Sequence, residues 1–471
     1  MLRRIIFSVL LSAAAPLTGL RAQTPCDIAW TVPVMVSSDS SVPTLPKISL
    51  SGGTVHLLWY GIDTTDDIRL ASSGLQYARR GTDEAAFTLP VTLLTAGRSL
   101  PGYLASAGAR VFVTSAAILD TFFGIVLFSS TDSGSTWSGA LPVLGSAYPE
   151  LIFTQDSSIF IQYLEIETGI LGLLRSGDGG ESWEIVARRI RAFSDVVLYA
   201  DELHAVGPVP GSSQTEVGYF VSADSGRFWF GPEIVSPEDL VRSSNPRIAV
   251  DDRGYFFTAW LDTGEVIMRS SRNGGISWGV WTRLSEERGN VSVDIAADRE
   301  FVFAAWDRNI SDTSGIRGRL SADFGETFCP VIIPGGGSGA RDPVVSVKDS
   351  TLRVVWVEHS GAEPGVYFRE GGLTSNGGIL DVPPVAYALN QSYPNPTNGN
   401  AFIGFDVPAD GSITLELYNV LGERVMMLAG GAYGPGRYTV STNVSGLPSG
   451  VYFYRLTAPG FDAMKKMMVL R

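Results

Sequence analysis

A motif of eight residues recurs five times in the middle of the chain and constrains the fold more than any other feature of the sequence. Its first copy reads STDSGSTW, and the common pattern is Ser-x-Asp-x-Gly-x-x-Trp. Successive copies begin 46, 46, 49 and 50 residues apart, at Ser130, Ser176, Ser222, Ser271 and Ser321. Self-similarity at a period of this length indicates an architecture built from repeated supersecondary units.

Each copy lies between two short apolar runs, as expected for a hairpin turn. A further pair of runs precedes the motif, seen best in PRIAVDDRGYFFTAWLD from Pro246 and in PVVSVKDSTLRVVWVEH from Pro343. The composition agrees with many short strands and tight turns, because the chain has 53 glycines and only 18% charged residues. Four strands per unit at this period predict an all-β fold of the β-propeller type.

Seven units are counted along the chain, or six if one of them is misread. A first unit without a recognisable motif begins at Pro46, and a last unit from Pro343 supplies three strands before the pattern stops. Residues 26–37, CDIAWTVPVMVS, resemble the outermost strand of the other units and are predicted to complete the last blade. Closing the ring from both ends removes sheet edges that would otherwise be exposed.

The motif has a physical interpretation as a locked turn. An Asp or Asn side chain accepts backbone N–H bonds across the turn, glycine supplies a positive φ, and the final aromatic ring packs on a neighbouring strand. A turn residue that recurs around a ring cannot converge on one ligand, so we expect a structural role for the third residue of each copy. These residues are Asp132, Asp178, Asp224, Asn273 and Asp323.

The five copies resemble the Asp box of the sialidase-like, or BNR-repeat, propellers. Asn273 replaces Asp in one copy, and Phe328 replaces Trp in another. The resemblance implies a sialidase-like propeller in which the motif residues are structural.

A ligand site is predicted on the face of the propeller opposite the motif turns, near the central channel. The residues that open the innermost strands point to this face and form a rim of mixed charge. The candidate ligand-binding residues are Lys47, Glu150, Asp195, Arg247, Asp294, Arg341 and Asp342. Because loops are usually polar, the alternative for each residue is an ordinary solvated charge.

The resemblance also sets a test for catalysis. A sialidase would need three arginines to hold the substrate carboxylate, a Tyr/Glu nucleophile pair and an Asp acid/base. Only Arg247 and Arg341 occupy suitable positions, and Lys47 stands where the family has its first arginine. We therefore expect non-catalytic binding of a glycan or another cell-surface ligand without a cofactor. The alternative is an exo-sialidase or another glycoside hydrolase acting at the channel.

Four tryptophans end equivalent second strands, in LLW, TAW, AAW and VVW. They are Trp59, Trp260, Trp306 and Trp356. Because they repeat with the blades, we expect them to pack between blades rather than to bind sugars.

The net charge of the chain and its small number of histidines and cysteines argue against several functions. A formal net charge of -13 without a Lys/Arg-rich run argues against nucleic acid as a partner. Three histidines and two cysteines without ligand spacing predict no metal site. If the protein is exported to an oxidising compartment, Cys26 and Cys329 could form a disulfide. The alternative is that they are two unrelated free thiols.

Residues 1–22 have a basic start, an apolar stretch and a small residue before a plausible cut after Ala22, which is typical of a secretory signal peptide. A membrane anchor is the alternative, although Pro16 breaks the apolar stretch. No other segment is long and apolar enough to predict a transmembrane anchor after cleavage.

Residues 23–381 are assigned to the propeller and residues 382–387 to a linker marked by Pro383 and Pro384. Residues 388–471 alternate as in a small antiparallel, Ig-like β-sandwich. This segment resembles the type A C-terminal sorting domain of the type IX secretion system, through LNQSYPNPTNG, LELYNVLGERV, LPSGVYFYRL and MKKMMVLR. The resemblance implies recognition by that secretion machinery, removal of the domain, and a mature protein that is secreted or attached to the outer cell surface.

Overall fold

In the computed structural model, β-strands are the only regular secondary structure of the described residues. The described residues are 28–37, 42–62, 73–95, 100–155, 157–211, 214–237, 241–308, 315–333, 339–359, 364–373, 387–389, 392, 395, 397, 400–434 and 436–470. The predicted signal peptide, Cys26 and all but the last residue of the predicted linker lie outside this part of the chain.

Strands β1 to β29 form seven antiparallel sheets, here called blades 1 to 7. Two short strands come first, β1 (Ala29–Trp30) and β2 (Val34–Met35). Blade 1 contains β3 (Val42–Ser51), β4 (Thr54–Ile62), β5 (Ser73–Arg80) and β6 (Val91–Thr95). Blade 2 contains β7 (Tyr103–Ala107), β8 (Arg110–Leu119), β9 (Phe122–Ser130) and β10 (Leu141–Gly145). Blade 3 contains β11 (Ala147–Gln155), β12 (Ser158–Glu165), β13 (Leu171–Ser176) and β14 (Glu184–Arg188).

The remaining blades follow the same order. Blade 4 contains β15 (Asp195–Tyr199), β16 (Glu202–Pro210), β17 (Thr215–Ser222) and β18 (Phe230–Ile234). Blade 5 contains β19 (Ser243–Val250), β20 (Phe256–Asp262), β21 (Glu265–Ser271) and β22 (Thr282–Arg283). Blade 6 contains β23 (Asn290–Asp298), β24 (Phe301–Arg308), β25 (Gly315–Ser321) and β26 (Cys329–Ile332). Blade 7 contains β27 (Ala340–Lys348), β28 (Thr351–Glu358) and β29 (Gly365–Gly372), together with β1 and β2.

The blades form a closed ring. The first strand of each blade contacts the first strand of the next, in the order β3, β7, β11, β15, β19, β23 and β27, and β27 in turn contacts β3. The chain is therefore a seven-bladed propeller, which is the number that the sequence favoured over six.

Residues near the N-terminus complete blade 7. Strands β1 and β2 both pair with β29, so that Ala29 lies opposite Gly372 and Val34 opposite Phe368. The indole of Trp30 lies 5.5 Å from the guanidinium carbon of Arg369. The described part of the predicted closing segment, residues 28–37, thus occupies the expected place.

The apolar core lies between neighbouring blades. Trp59 is buried with Val355 and Phe368 of blade 7, and Trp260 is buried with Val206 and Tyr219 of blade 4. Trp306 and Trp356 are also buried, each in a cluster shared with the preceding blade. The prediction that these tryptophans pack between blades is confirmed.

The five motif turns share one hydrogen-bond pattern. In blade 2, Ser130 Oγ accepts the N–H of Gly134 at 2.8 Å and donates to Asp132 Oδ1 at 2.8 Å, and that oxygen also accepts the N–H of Thr136. Asn273 uses its amide oxygen in the same way, at 2.9 Å from Ser277 N. The side-chain oxygens of Asp178, Asp224 and Asp323 make equivalent bonds. These residues hold the turns, as the sequence predicted.

The last strands form two further sheets. They are β30 (Ala388–Leu389), β31 (Asn400–Val407), β32 (Gly411–Tyr418), β33 (Arg424–Tyr433), β34 (Gly436–Asn443), β35 (Gly450–Ala458) and β36 (Phe461–Val469). One sheet has the order β30-β31-β34 and the other β33-β32-β35-β36. A single apolar cluster, including Phe405, Leu415 and Tyr454, lies between them. This is the small sandwich that the alternating pattern predicted.

Two further observations concern the cysteines and membranes. Cys329, the only cysteine among the described residues, is disulfide-bonded. Within the described ranges, no helix is long and apolar enough to cross a bilayer.

Candidate functional site

The propeller has two different faces. The motif turn of blade 2 is bonded to the first hairpin of the same blade, since Ser133 N donates to Ala109 O at 2.8 Å. Blade 6 repeats this contact through Phe324 N and Glu300 O at 2.9 Å. Motif turns and first hairpins therefore share one face, and the first strands begin at the other.

A cavity of about 540 Å³ opens where the first strands begin, and residues of all seven blades line it. Six of the seven candidate ligand-binding residues are in its wall: Lys47, Glu150, Asp195, Arg247, Asp294 and Asp342. Arg341 does not line the cavity. The structure thus brings together four carboxylates and two cations.

The exclusion of Arg341 has a local cause. The register of β27 against β28 shifts between Arg341 and Val344, and Asp342 has a φ of 52° ahead of Pro343. Simple strand alternation is lost at such a bulge. The bulge places Asp342, and not its neighbour, in the cavity wall. A positive φ also precedes the proline in Leu45-Pro46 and Asn245-Pro246.

Four lining residues occupy equivalent positions in their blades. Lys47, Arg247 and Asp294 each pair with the residue that precedes a buried tryptophan, namely Leu58, Ala259 and Ala305. Asp195 lies four residues before the end of its strand, as do Lys47 and Asp294. The fold therefore repeats one channel-facing position from blade to blade.

Sequence reasoning missed Tyr103, which takes this position in blade 2. It lies four residues before the end of β7 and lines the cavity. Its ring centroid is 5.6 Å from Lys47 Nζ. Counting back from the first hairpin of each blade would have found it, whereas a search for charged residues did not.

Blades 4 to 7 are tied together by charged groups of the wall. Asp195 Oδ2 accepts the N–H of Ile248 at 3.1 Å, and Asp294 Oδ2 accepts the N–H of Val345 at 2.8 Å. Arg247 donates to Ser194 O at 3.1 Å, and its Nε lies 3.7 Å from Asp294 Oδ1. Each bond joins one blade to a neighbour.

Burial of these groups changes their proton affinity. It raises the pKa of Asp294 to about 6, although the nearby Arg247 guanidinium acts in the opposite direction. It also raises the pKa values of Asp195, Asp342 and Glu150. Loss of hydration always disfavours the charged form of an acid. The cavity wall is therefore a poorly hydrated environment in which polar contacts are strong.

Burial also disfavours the charged forms of Lys47 and Tyr103. Burial, reinforced by Arg247, lowers the pKa of Lys47. Burial and the charge of Glu150 raise the pKa of Tyr103 to about 12. The phenol is protonated at neutral pH and can donate a hydrogen bond. Across the described ranges, no three His, Cys, Asp or Glu side chains are grouped to hold a metal ion.

Comparison with known proteins decides the nature of the C-terminal sandwich. Residues 391–470 match the family described as secretion system C-terminal sorting domain. This segment is a type IX secretion sorting domain. The sorting domain implies interaction with the type IX machinery, and it directs the protein to the cell exterior, either secreted or on the outer cell surface.

Solved structures similar to the chain share little sequence with it. A protein of unknown function from Dyadobacter fermentans is 13% identical, with a TM-score of 0.46, covering 74% of this chain and 99% of that one. The structure of YCF48 bound to D1 peptide is 15% identical, with a TM-score of 0.49, and the match covers 76% of this chain and 100% of that one. The phage phi92 endosialidase is 10% identical, with a TM-score of 0.45, and the match covers 86% of this chain and 74% of that one. No curated protein matches the sequence. At this level of similarity, none of these structures assigns an activity.

Proposed function

We propose that this exported propeller binds a saccharide in the channel cavity without cleaving it. The observation that carries the proposal is the composition of the wall, which holds one arginine, Arg247, among the described residues. That guanidinium is already bonded to Ser194 O and lies beside Asp294. Three convergent guanidiniums would be needed to hold the carboxylate of a sialoside, because each supplies a planar pair of donors.

The wall suits a hydroxyl-rich ligand. Its carboxylates accept hydrogen bonds, and Lys47 and Tyr103 donate them. A concave, poorly hydrated site with a few polar groups of both kinds is typical of small-molecule recognition. Saccharide hydroxyl groups both donate and accept, and so match such a wall.

Screening the full chain without residues 1–22 on an array of neutral, amino and acidic glycans tests the proposal. We expect retention on at least one non-acidic glycan. Competition by the free sugar should remove the signal. An array without any retained glycan would refute saccharide binding.

The route of export is the second part of the proposal. Residues 1–22 act as a cleaved signal peptide, and the sorting domain is removed once the protein has crossed the outer membrane. Deleting residues 388–471 should leave the protein in the periplasm, as measured by fractionation and immunoblotting. Appearance of the deletion variant in the medium at the normal level would contradict this route.

A glycoside hydrolase is the second candidate, favoured by one observation. Tyr103 lies close enough to Glu150 for that carboxylate to affect the phenol pKa, and a Tyr/Glu pair is the nucleophile arrangement of sialidases. Release of a fluorogenic sialoside would support this candidate. Its loss in Tyr103→Phe, with the fold retained by circular dichroism, would establish catalysis in place of simple binding.

A further inference from the structure

The charged residues of the cavity wall, together with Tyr103, divide into two groups that differ in how many hydrogen bonds and ion pairs the protein itself gives their side chains. We propose that the ligand contacts one group only, Lys47, Tyr103, Glu150 and Asp342, and that it is a non-acidic saccharide whose hydroxyl or amino groups donate to the two carboxylates. The ligand class rests on the proposed function, whereas the division between the groups does not.

The first group, from blades 4 to 6, is satisfied by the protein. Asp195 accepts two backbone N–H groups, those of Val196 at 3.0 Å and Ile248 at 3.1 Å. Arg247 and Asp294 lie beside each other, and each is also hydrogen-bonded to the main chain of an adjacent blade. These residues already have a structural role, because they join consecutive blades around the channel.

The second group comes from the consecutive blades 7, 1, 2 and 3. The side chains of Lys47, Tyr103, Glu150 and Asp342 make no hydrogen bond or ion pair with any other described residue. The ammonium nitrogen of Lys47 lies 5.6 Å from the ring centroid of Tyr103, and the charges of Asp294, Asp195 and Asp342 act on it without an ion-pair contact. Lys47, Tyr103 and Asp342 are half-buried, whereas Glu150 is exposed. Half-buried polar groups without partners are costly, and proteins retain them mainly where function requires them.

The ring does not need the second group for its integrity. Blades 1 and 2 are joined by neutral hydroxyls, since Ser49 Oγ lies 2.6 Å from Ser106 Oγ. Blades 7 and 1 are joined by His359 Nε2 and Pro43 O at 2.9 Å. The unpaired charges in this part of the wall therefore have no evident structural use.

The charges of the second group indicate the ligand chemistry. This part of the wall contains two carboxyl groups and one ammonium group, so its acidic groups outnumber its basic ones. An acidic sugar would be repelled, while hydroxyl or ammonium groups of a neutral or amino sugar can donate to Glu150 and Asp342. The Lys47 ammonium in turn requires an acceptor, which a saccharide oxygen supplies.

The difference between the two groups of wall residues is tested in the ligand-free protein with a matched pair of variants at equivalent positions. Lys47→Met removes a cation without a partner and should raise the melting temperature by about 1–2 °C. Arg247→Met removes a bonded cation beside Asp294 and should lower the melting temperature. Failure of Arg247→Met to fold agrees with this expectation. A decrease of similar size in both variants would overturn the division.

The ligand class is tested on the glycan array and by titration with the retained glycan. Glu150→Gln and Asp342→Asn should each weaken binding about 10- to 100-fold. The matched control is Glu181→Gln, the same change in blade 3 on the motif-turn face, which should bind like the unaltered protein. Asn tolerates the positive φ of position 342, so Asp342→Asn tests the charge alone.

The outcomes separate the two proposals. Retention of acidic glycans in preference to neutral and amino glycans overturns the ligand class, as does full binding by both carboxylate variants. Retention of no glycan at all rejects the proposed function and the saccharide together. The melting temperatures then still decide whether the two groups of the wall differ.

Discussion

The Nδ1 atom of His56 lies 2.7 Å from the phenolic oxygen of Tyr77, and both side chains are buried. The pair recurs three blades further around the ring as His204 and Tyr219, at 2.5 Å. The equivalent position of the second strand is phenylalanine in blades 2, 3, 5 and 6. Two blades thus have a buried polar pair where others have an aromatic ring.

Burial makes these histidines sensitive to acid. It lowers the pKa of His56 to about 4 and that of His204 to about 3. The unfolded chain binds protons near pH 6.5, so the stability from the neutral imidazoles is present above that pH and is lost as the pH falls toward 4. Between pH 7 and pH 5, each histidine should lower the free energy of unfolding by about 2 kcal/mol.

Replacing one His/Tyr pair by two phenylalanines should remove the contribution of that histidine to the pH dependence of stability. The double variant His56→Phe/Tyr77→Phe should lose less stability than the unaltered protein between pH 7 and pH 5, as measured by urea unfolding. The control is Tyr77→Phe alone, which keeps the imidazole of His56 and should keep its pH dependence. Identical pH profiles of the double variant and the unaltered protein would contradict the assignment.

The motif glycine of blade 2 lies directly over Tyr77. A Cβ atom on Gly134 would overlap the tyrosine hydroxyl, and the residue has a φ of 79°. Gly134→Ala should therefore destabilise the protein by about 2–4 kcal/mol, measured by chemical denaturation. Gly139→Ala is the control, because a Cβ there meets no atom within 4 Å. Equal stability of the two variants would exclude close packing at this turn.

Asp251 lies in the hairpin between β19 and β20. Its contribution to stability should fall as the pH rises, which is the opposite of the effect of the histidines. Burial raises its pKa to about 7, and its Oδ2 has no hydrogen-bond partner among the described residues. An acid with a raised pKa contributes stability that is full below the unfolded value of 3.8 and is lost as the pH rises through 7. From pH 5 to pH 8 this loss should be about 2–3 kcal/mol.

The variant Asp251→Asn mimics the protonated acid and should not show this loss. Its gain over the unaltered protein, measured by thermal unfolding, should be larger at pH 8 than at pH 5. The neighbouring exposed residue supplies the control, Asp252→Asn, with little change at either pH. A gain of the same size at both pH values would mean that Asp251 is ionised throughout.

The segment that closes blade 7 should contribute to stability partly through the buried side chain of Ile28, which directly precedes β1. Ile28 is 8% exposed and belongs to the core shared by blades 6 and 7. Ile28→Ala should lower the free energy of unfolding by about 2–4 kcal/mol. Val32→Ala is the control, because Val32 is 79% exposed and should change stability by less than about 0.5 kcal/mol. Equal unfolding midpoints would show that β1 and β2 add little to the ring.

The fold was predictable because one local requirement repeats. Every motif turn needs a side-chain acceptor and a glycine at fixed positions, as Asp132 and Gly134 show, and these residue types are visible without a structure. The tryptophans were predictable for the same reason. Each of these local signals is weak by itself, but their regular spacing along the chain was enough to predict the architecture.

The site was only partly predictable because it depends on register and partners. Both Arg341 and Asp342 were candidates, but the bulge before Pro343 leaves only Asp342 at the cavity wall, and no sequence pattern specifies which residue a bulge turns inward. Tyr103 was missed because it is uncharged. Sequence also does not show that Arg247 is bonded to other blades while the Lys47 ammonium makes no hydrogen bond or ion pair within the described part of the chain.

The closure of the ring by β1 and β2 has a kinetic consequence. Thr31 Oγ1 donates to Glu370 O at 3.2 Å, although the two residues are 339 positions apart along the chain. Bringing such distant segments together has a large entropic cost and slows folding. We expect this pairing to form late, after the seventh blade is available. Until then, the edge of β29 is open to pairing with other strands, which favours misassembly.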